Sequence, residues 1–550
     1  MLKGHLLNPH IINNLKYIQS VTSNWKILLL SAVWTIIIKL VVPFNIFANG
    51  IQRPFFYLSL LIVCFLILYT IFRRVDSYKI NEKEFHENKS YNWLAITAFL
   101  SCAGTWSIYW FIFYPGLISW DFYVQWHEMS GNIPFNDWHP VFHTLMIWLV
   151  TRVWYSPGMV SIMQIICMSL MVGMTVMRLK RIDVPMLVIW IVIAFYAFFP
   201  LNGFYAISLW KDIPYSIALF WLTIVLFDVV FKGENSLEKG HVVMSLMISL
   251  LFVAMMRHNG IAPAFGTLFI LFMIYRKQTR SLLLVFFTLL TFIMFFKGPI
   301  FWLLNVDMKE KNILNAHIII QHIGAILNAG VHISEDEKNF LLKVMPLRQW
   351  KNAYQPLNCM PLIFGKAKDG NRYLNIEFLK YQDNFRKLLF VWAKLVIKNP
   401  VVIIRYYLKS TELLWRINVP YRTFVIADED LMEEHLYTGY KPSKRLIERT
   451  GNMGRHLITF INNQNLGWFL HRGALYFWIS VFFLTLTILR HKQFIILVIA
   501  TPMILQAASV ATFPLVQNTR FMFPIILTTP LFVSLFFASK LNRQHLLTNS

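Results

Sequence analysis

Four short polar clusters interrupt a chain that is otherwise strongly apolar. They are YPGLISWD at 114–121, continuing through Gln125 to NDWHP at 136–140; LWKD at 209–212; MRHNG at 256–260; and QNTRFMFP at 517–524. They bring three carboxylates (Asp121, Asp137, Asp212), three cations (Lys211, Arg257, Arg520) and the polar groups of His139 and Asn259. Lys and Arg can hold a phosphate, Arg through two parallel hydrogen bonds. Neutralising the charge on a departing phosphate stabilises the transition state of a transfer reaction. A carboxylate beside the donor carbon can take the proton of an incoming hydroxyl. Tyr114, Trp120, Trp126 and Trp138 supply aromatic faces that suit the C–H faces of sugar rings. Together these parts fit transfer of a sugar from a lipid-phosphate donor. Each also has a plainer role. A charge at a helix end anchors in solvent, and Trp120, Trp138 and Trp210 suit an interfacial aromatic belt. Arg257 and Arg520 can bind lipid headgroups, Asp212 can pair with Lys211 or Arg257, and His258 suits a helix turn.

The elements that must position these residues are membrane helices. Of 550 residues 57% are apolar and only 14% charged, against roughly 25% charged in soluble domains. Apolar runs fall at 27–47, 54–72, 94–113, 158–177, 184–200, 213–231, 241–256, 260–276, 281–297, 474–489, 494–513 and 521–539. Most approach the ~20 residues a helix needs to cross the hydrocarbon layer. The expected fold is an all-α integral membrane protein with about twelve spans. The net charge of +24 fits cytoplasmic loops rich in Lys and Arg, together with binding of anionic lipid or a phosphorylated substrate. The basic residues lie between apolar runs and form no single stripe, so nucleic acid is not expected as a partner. The four cysteines show neither a disulfide framework nor zinc spacing. No cleavable leader is read at the N-terminus.

Charge sets the topology. Arg73, Arg74, Lys79, Lys83 and Lys89 mark 73–92 as cytoplasmic, and so do Arg178, Lys180 and Arg181 after 158–177. Only one crossing fits between the span 94–113 and that second cluster. The segment 140–155, with His143 and Arg152, is therefore expected to lie on the outer surface. The expected domains are an N-terminal transmembrane module, 1–297, with an outer catalytic loop at 114–157. A largely helical extracytoplasmic domain, 298–473, and a C-terminal transmembrane module, 474–550, follow. Both termini are expected in the cytoplasm of a multi-pass cell-membrane protein. All four clusters then fall on the outer face, where short loops should be poor in Lys and Arg. A violation repeated three times beside carboxylates points to a site that handles an anion.

At these residues the chain resembles the GT-C superfamily of membrane glycosyltransferases, which includes protein O-mannosyltransferases and lipid A aminoarabinose transferases. The matching elements are Asp121 in an outer loop, His139-Pro140 opening a surface helix, and Arg178 to Arg181 closing the next span. The set YPGLISWD, NDWHP, LWKD, RHNG and TRFMFP is most similar to a bacterial, largely uncharacterised branch. The resemblance implies an extracytoplasmic active site with Asp121 as base. Asp137 and His139 would position it or bind the acceptor. Lys211, Arg257 and Arg520 would clamp the phosphate, with Gln125, Trp210, Asp212 and Asn259 completing the substrate site. It implies a polyprenyl-phosphate-linked sugar as donor, and a cell-envelope glycan, lipid or protein as acceptor. Some members depend on a metal, which leaves Asp137 and His139 open as a divalent-metal pair, with no metal assigned.

Other classes compete. A transporter or flippase of lipid-linked saccharides would place charges near the bilayer midplane, where this chain has few. A membrane glycan polymerase would use similar cations, and its product would be a ladder of lengths. A scaffold without chemistry would tolerate substitution at Asp121, Lys211 and Arg257.

Overall fold

The computed structural model describes residues 27–38, 61–66, 69, 91–308, 316–367, 370–417, 444–463, 465–512 and 516–539. The chain divides into two compact units, 1–87 with 416–420, and 88–415 with 421–550. In the first, Ile27–Ile38 is helical, and the Ser31 and Thr35 hydroxyls donate to carbonyls one turn back. The expected spans 27–47 and 54–72, and the loop cations at 73–89, lie partly or wholly outside the described residues.

The second unit is built on the helices α1 Asn92–Ile112, α2 Trp120–Met129, α3 Val141–Val150, α4 Pro157–Arg181, α5 Met186–Phe198, α6 Pro200–Ala206, α7 Asp212–Phe231, α8 Gly240–Met256, α9 Ile261–Ile274 and α10 Thr279–Phe295. Then come α11 His317–Asn328, α12 Glu335–Val344, α13 Gln382–Lys398, α14 Pro400–Ser410, α15 Gly473–His491, α16 Leu497–Thr512 and α17 Phe523–Phe536. Among the described residues there is no β-strand, only isolated bridges.

This is an integral membrane α-helical protein. Among the described residues, six helices have the length and apolarity of a complete crossing: Asn92–Ile112, Pro157–Arg181, Asp212–Phe231, Arg276–Leu303, Gly473–His491 and Phe494–Thr512. The pair α5 and α6, bent by 52°, makes a seventh if it is one span. Of the twelve expected spans, 27–47 and 54–72 lie partly outside the described residues, and those at 241–256, 260–276 and 521–539 are present as shorter apolar helices. α8 stops before Arg257, α9 starts after the His258–Gly260 turn, and α17 starts at Phe523. A 17-residue helix reaches about 26 Å, at the lower end of the lengths that cross the hydrocarbon layer. The segment 140–155 holds only the ten-residue α3, about half a crossing. The run 388–408 is broken between α13 and α14 at Asn399.

α7 is the central helix, buried on nearly every side. α1 packs against α4 through the stripe Leu94, Ala98, Cys102 and Trp106. A Cβ on Gly173 of α4 would come within 2.7 Å of the Ala95 carbonyl oxygen, so glycine permits this close crossing. On the outside, Leu100, Phe111, Leu187, Phe269, Leu284 and Met294 are exposed, an apolar surface suited to lipid. At one end of these helices lie Arg178, Lys180 and Arg181, with Lys232, Arg276 and Arg490. There Arg178 makes two bonds to Asp228, at 2.8 and 2.6 Å. The opposite end carries the four polar clusters. A second hydrophobic core, between α11 and α14, belongs to the segment after α10.

Candidate functional site

The strap that follows α1 sets the position of Asp121. Gly116 has a φ of +137°, and a Cβ there would meet Ser161 Oγ at 2.3 Å and the Ile207 oxygen at 2.8 Å. Glycine alone lets the strap lie flat in this conformation. Leu117 N donates to the Ile207 oxygen and Leu209 N to the Leu117 oxygen, both at 2.9 Å. Gln164 Nε2 donates to the carbonyls of Ala206 (3.2 Å) and Ser208 (3.0 Å). Ser119 caps α2, its Oγ accepting from Phe122 N. The first turn of α2 is thereby held against the head of α7, so Asp121 faces Lys211.

A chain of alternating charge results. Lys211 Nζ donates to Asp121 Oδ2 at 2.9 Å and to His139 Nδ1 at 2.8 Å. Arg520 Nη1 lies 3.8 Å from the same Asp121 oxygen, and its Nε lies 3.4 Å from Asp212 Oδ2. Arg257 Nη1 is 3.0 Å from Asp212 Oδ1. Aromatic faces hold the guanidinium groups: Arg520 stacks over Trp210 (4.8 Å) and Arg257 over Phe521 (4.8 Å) and Tyr215 (5.3 Å). Three cations meet two carboxylates, which leaves an excess of positive charge able to attract an anion. The cluster is graded in depth. Asp212 is 1% exposed and Arg257 9%, whereas Arg520 and Lys211 reach 18% and 17% and Asp121 24%.

Burial alone would push the Asp121 carboxyl up, but Lys211, His139 and Arg520 hold it well below the usual carboxylate range. Burial, then the neighbouring Lys211, brings His139 down to about 3, so its ring is neutral at neutral pH. An ammonium can only donate, so Nδ1 of His139 accepts and its proton sits on Nε2.

Asp121 and His139 line a cavity of about 530 Å³, together with Trp120, Trp138, Asp307, Met360, Phe364 and Arg372 among others. The segment before α13 thus forms one wall. Arg372 stacks over Phe364, which meets Trp138 edge to face. Tyr114 and Trp126 of the expected aromatic wall are not on this cavity's lining.

Several expected site residues are brought into the cluster but face inward. Asp212 grips two arginines rather than opening to the cavity. Trp210 is the platform beneath Arg520. Asn259 donates to Ser509 Oγ at 2.9 Å, joining α9 to α16. Gln125 is fully buried; its Nε2 donates to Thr144 Oγ1 and its Oε1 accepts from His143 Nδ1, both at 3.0 Å. In the structure these four contact other parts of the chain. Asp137 and His139 turn to different partners, Asp137 Oδ1 lying 3.7 Å from His258 Nε2. An ammonium on the His139 ring nitrogen is incompatible with a cation at that atom. No three His, Cys, Asp or Glu side chains converge as metal ligands among the described residues.

Other residues matter that composition does not single out. Tyr215 donates to Gln506 Oε1 at 2.6 Å, and Gln506 Nε2 donates to the Phe521 oxygen at 2.8 Å. This links α7, α16 and the Arg520 turn. Glu128 accepts from Asn136 N (3.2 Å) and Thr144 Oγ1 (3.3 Å), tying α2 to the NDWHP turn and α3. Burial, against those two hydrogen bonds, raises Glu128 to about 7. The folded protein then keeps a proton that the unfolded chain has released. Stability from this group is full below the ordinary value, near 4.5, and is lost as pH rises through about 7. Glu128→Gln is expected to remove that slope, worth on the order of 3 kcal/mol. Melting curves of both proteins between these pH limits check it, and parallel curves would refute it.

No curated protein and no solved structure matches the chain. The match to a family covers residues 135–547, which takes in Asp137, His139, Lys211, Asp212, Arg257 and Arg520 and begins after Asp121. With three quarters of its length matched, the chain belongs to the family described as DUF6020, a family of unknown function.

Proposed function

We propose that the protein is a glycosyltransferase that moves a sugar from a polyprenyl-phosphate donor to a cell-envelope acceptor. The reading places the reaction at the extracytoplasmic membrane face, in a protein of about twelve crossings with both termini inside. The observation that carries it is the meeting of Lys211, Arg520 and Asp121, from three distant segments, beside an aromatic-walled cavity at one end of the membrane helices. The cations would take the lipid phosphate, and the cavity would take the acceptor. Asp121 would accept the proton of the acceptor hydroxyl as the new glycosidic bond forms and the bond from sugar to phosphate breaks.

The test is a deletion strain complemented with wild-type protein or with Lys211→Met. The deletion should lose one extracellular glycosyl addition and accumulate a polyprenyl-phosphate sugar; Lys211→Met should not restore the addition. Unchanged glycan and lipid-sugar profiles would end this reading. Single additions, not a ladder, separate transfer from polymerisation.

A flippase for lipid-linked saccharides is favoured by one feature, the 52° bend between α5 and α6 close to the cluster, since transporters bind substrate at broken helices. Movement of a labelled lipid-linked saccharide across proteoliposomes, without any transfer product, would favour it over the first.

A further inference from the structure

α13 and α14 meet at Asn399-Pro400 and form an elbow. The residue before a proline is pushed out of helical geometry, and Asn399 has φ −128° and ψ 52°. Its side chain donates to the Leu395 oxygen at 2.9 Å, which satisfies a carbonyl that the break leaves open. Each arm is divided lengthwise. The inner faces put Leu388, Val391, Leu395 and Ile403 into the second hydrophobic core. The outer faces present Phe390 (71% exposed), Ile397 (78%), Val401 (57%), Ile404 (59%) and Leu408 (57%). From Ile397 onward these stand at intervals of four, three and four, so one apolar spine runs across the elbow. Single exposed apolar residues need no explanation, but a continuous row does.

Charge says what covers the spine. The two arms carry six basic residues and one acidic residue, Asp383. Arg386, Lys398, Arg405 and Lys409 flank the apolar row, where long stems can lie along it while the cationic heads reach outward. A second copy of this chain would bring a like-charged surface against it. A bilayer with anionic headgroups matches both the spine and its flanks.

The elbow is also fixed at the right level. Gln517, just ahead of α17, donates to the carbonyls of Lys409 (3.1 Å) and Ser410 (3.4 Å) at the end of α14. Arg472, at the head of α15, donates to the Glu412 oxygen at 2.8 Å, and Trp478 Nε1 donates to the Trp415 oxygen at 2.9 Å. The end of α14 is therefore pinned where α15 and α17 begin, at the end of these helices that carries the polar clusters.

We infer that the α13–α14 elbow lies in the interfacial layer of the membrane, its apolar spine among the acyl chains and its cations on anionic headgroup phosphates. The elbow then moors the segment that supplies Met360, Phe364 and Arg372 to the cavity wall. This inference does not depend on the transfer chemistry.

The test uses the full chain in vesicles of phosphatidylcholine with and without phosphatidylglycerol. In a background with the four native cysteines replaced by serine, Ile397→Cys, Ile404→Cys, Leu408→Cys and, as an aqueous control, Glu335→Cys carry a nitroxide label. The three spine labels should collide with oxygen in preference to a water-soluble nickel chelate, and more so with phosphatidylglycerol present; the control should show the reverse. Spine labels as open to nickel as the control overturn the inference. Labels shielded from both reagents also overturn it, since a protein then covers the face. A second measurement needs no substitution. Wild-type protein reconstituted with a diazirine-bearing phosphatidylglycerol should be labelled, after illumination, within 390–408; absence of label there is equally fatal.

Discussion

On the proposed transferase reading, Asp121→Asn is expected to slow sugar transfer by roughly 10²- to 10⁴-fold, the usual contribution of a positioned general base, while tightening the hold on the donor phosphate. The two effects share one cause. In the structure Asp121 occupies Lys211 at 2.9 Å and lies 3.8 Å from Arg520. Those cations hold its carboxyl well below the usual range, which makes it a weak base in the resting protein. A phosphate entering the same cations must compete with this carboxylate. Once it draws them away, the carboxyl value climbs back toward the ordinary one and proton transfer becomes easier. The neutral amide removes both the base and the competitor. Transfer is measured with purified enzyme in nanodiscs, and donor affinity by binding of the labelled lipid. A variant that transfers sugar at the wild-type rate sinks the role of Asp121. If affinity falls along with rate, Asp121 shapes the phosphate site instead of gating it.

What made this cluster legible was residue type at a location where that type is disfavoured. Lys211, Arg257 and Arg520 stand out because the short loops expected on the outer side should lack cations, and the structure joins all three through Asp121 and Asp212. The partners of buried polar residues were less legible. Gln125 and Asn259 sit inside the same motifs as the charges. A polar side chain reads identically in sequence whether it faces a ligand or, as here, Thr144 and Ser509. Long-range walls leave no local pattern at all. Met360, Phe364 and Arg372 reach the cavity from more than two hundred residues beyond Asp121, through a segment whose periodicity says only that it is helical. A hydropathy window registers the apolar run around the Met256 to Gly260 break but not that the helix stops there. That early stop is what seats Arg257 beside Asp212.

The largest effect on stability is expected from Asp212→Ala, about 3–5 kcal/mol, as when one partner of a buried ion pair is removed. Asp212 is 1% exposed, and its two oxygens face different arginines, Arg257 at 3.0 Å and Arg520 at 3.4 Å. These come from the end of α8 and the turn before α17, so one carboxylate at the head of α7 ties three helices. Alanine would leave two guanidinium groups with no adjacent counter-charge on that side. Arg257, itself only 9% exposed, cannot swing into water without breaking its contacts with Phe521 and Tyr215. Asp212→Asn keeps the shape and can still accept from one arginine, so its loss should be smaller. Removing both members, as Asp212→Leu with Arg257→Met, should recover much of the stability, because apolar replacement of a buried pair is often neutral or better. On the proposed transferase reading it should not recover transfer, because one of the cluster's three cations is gone. Thermal unfolding in detergent orders the four proteins. If Asp212→Ala melts with the wild type, the arginines are balanced from elsewhere, and Asp212 is not what holds the heads of α7, α8 and α17 together.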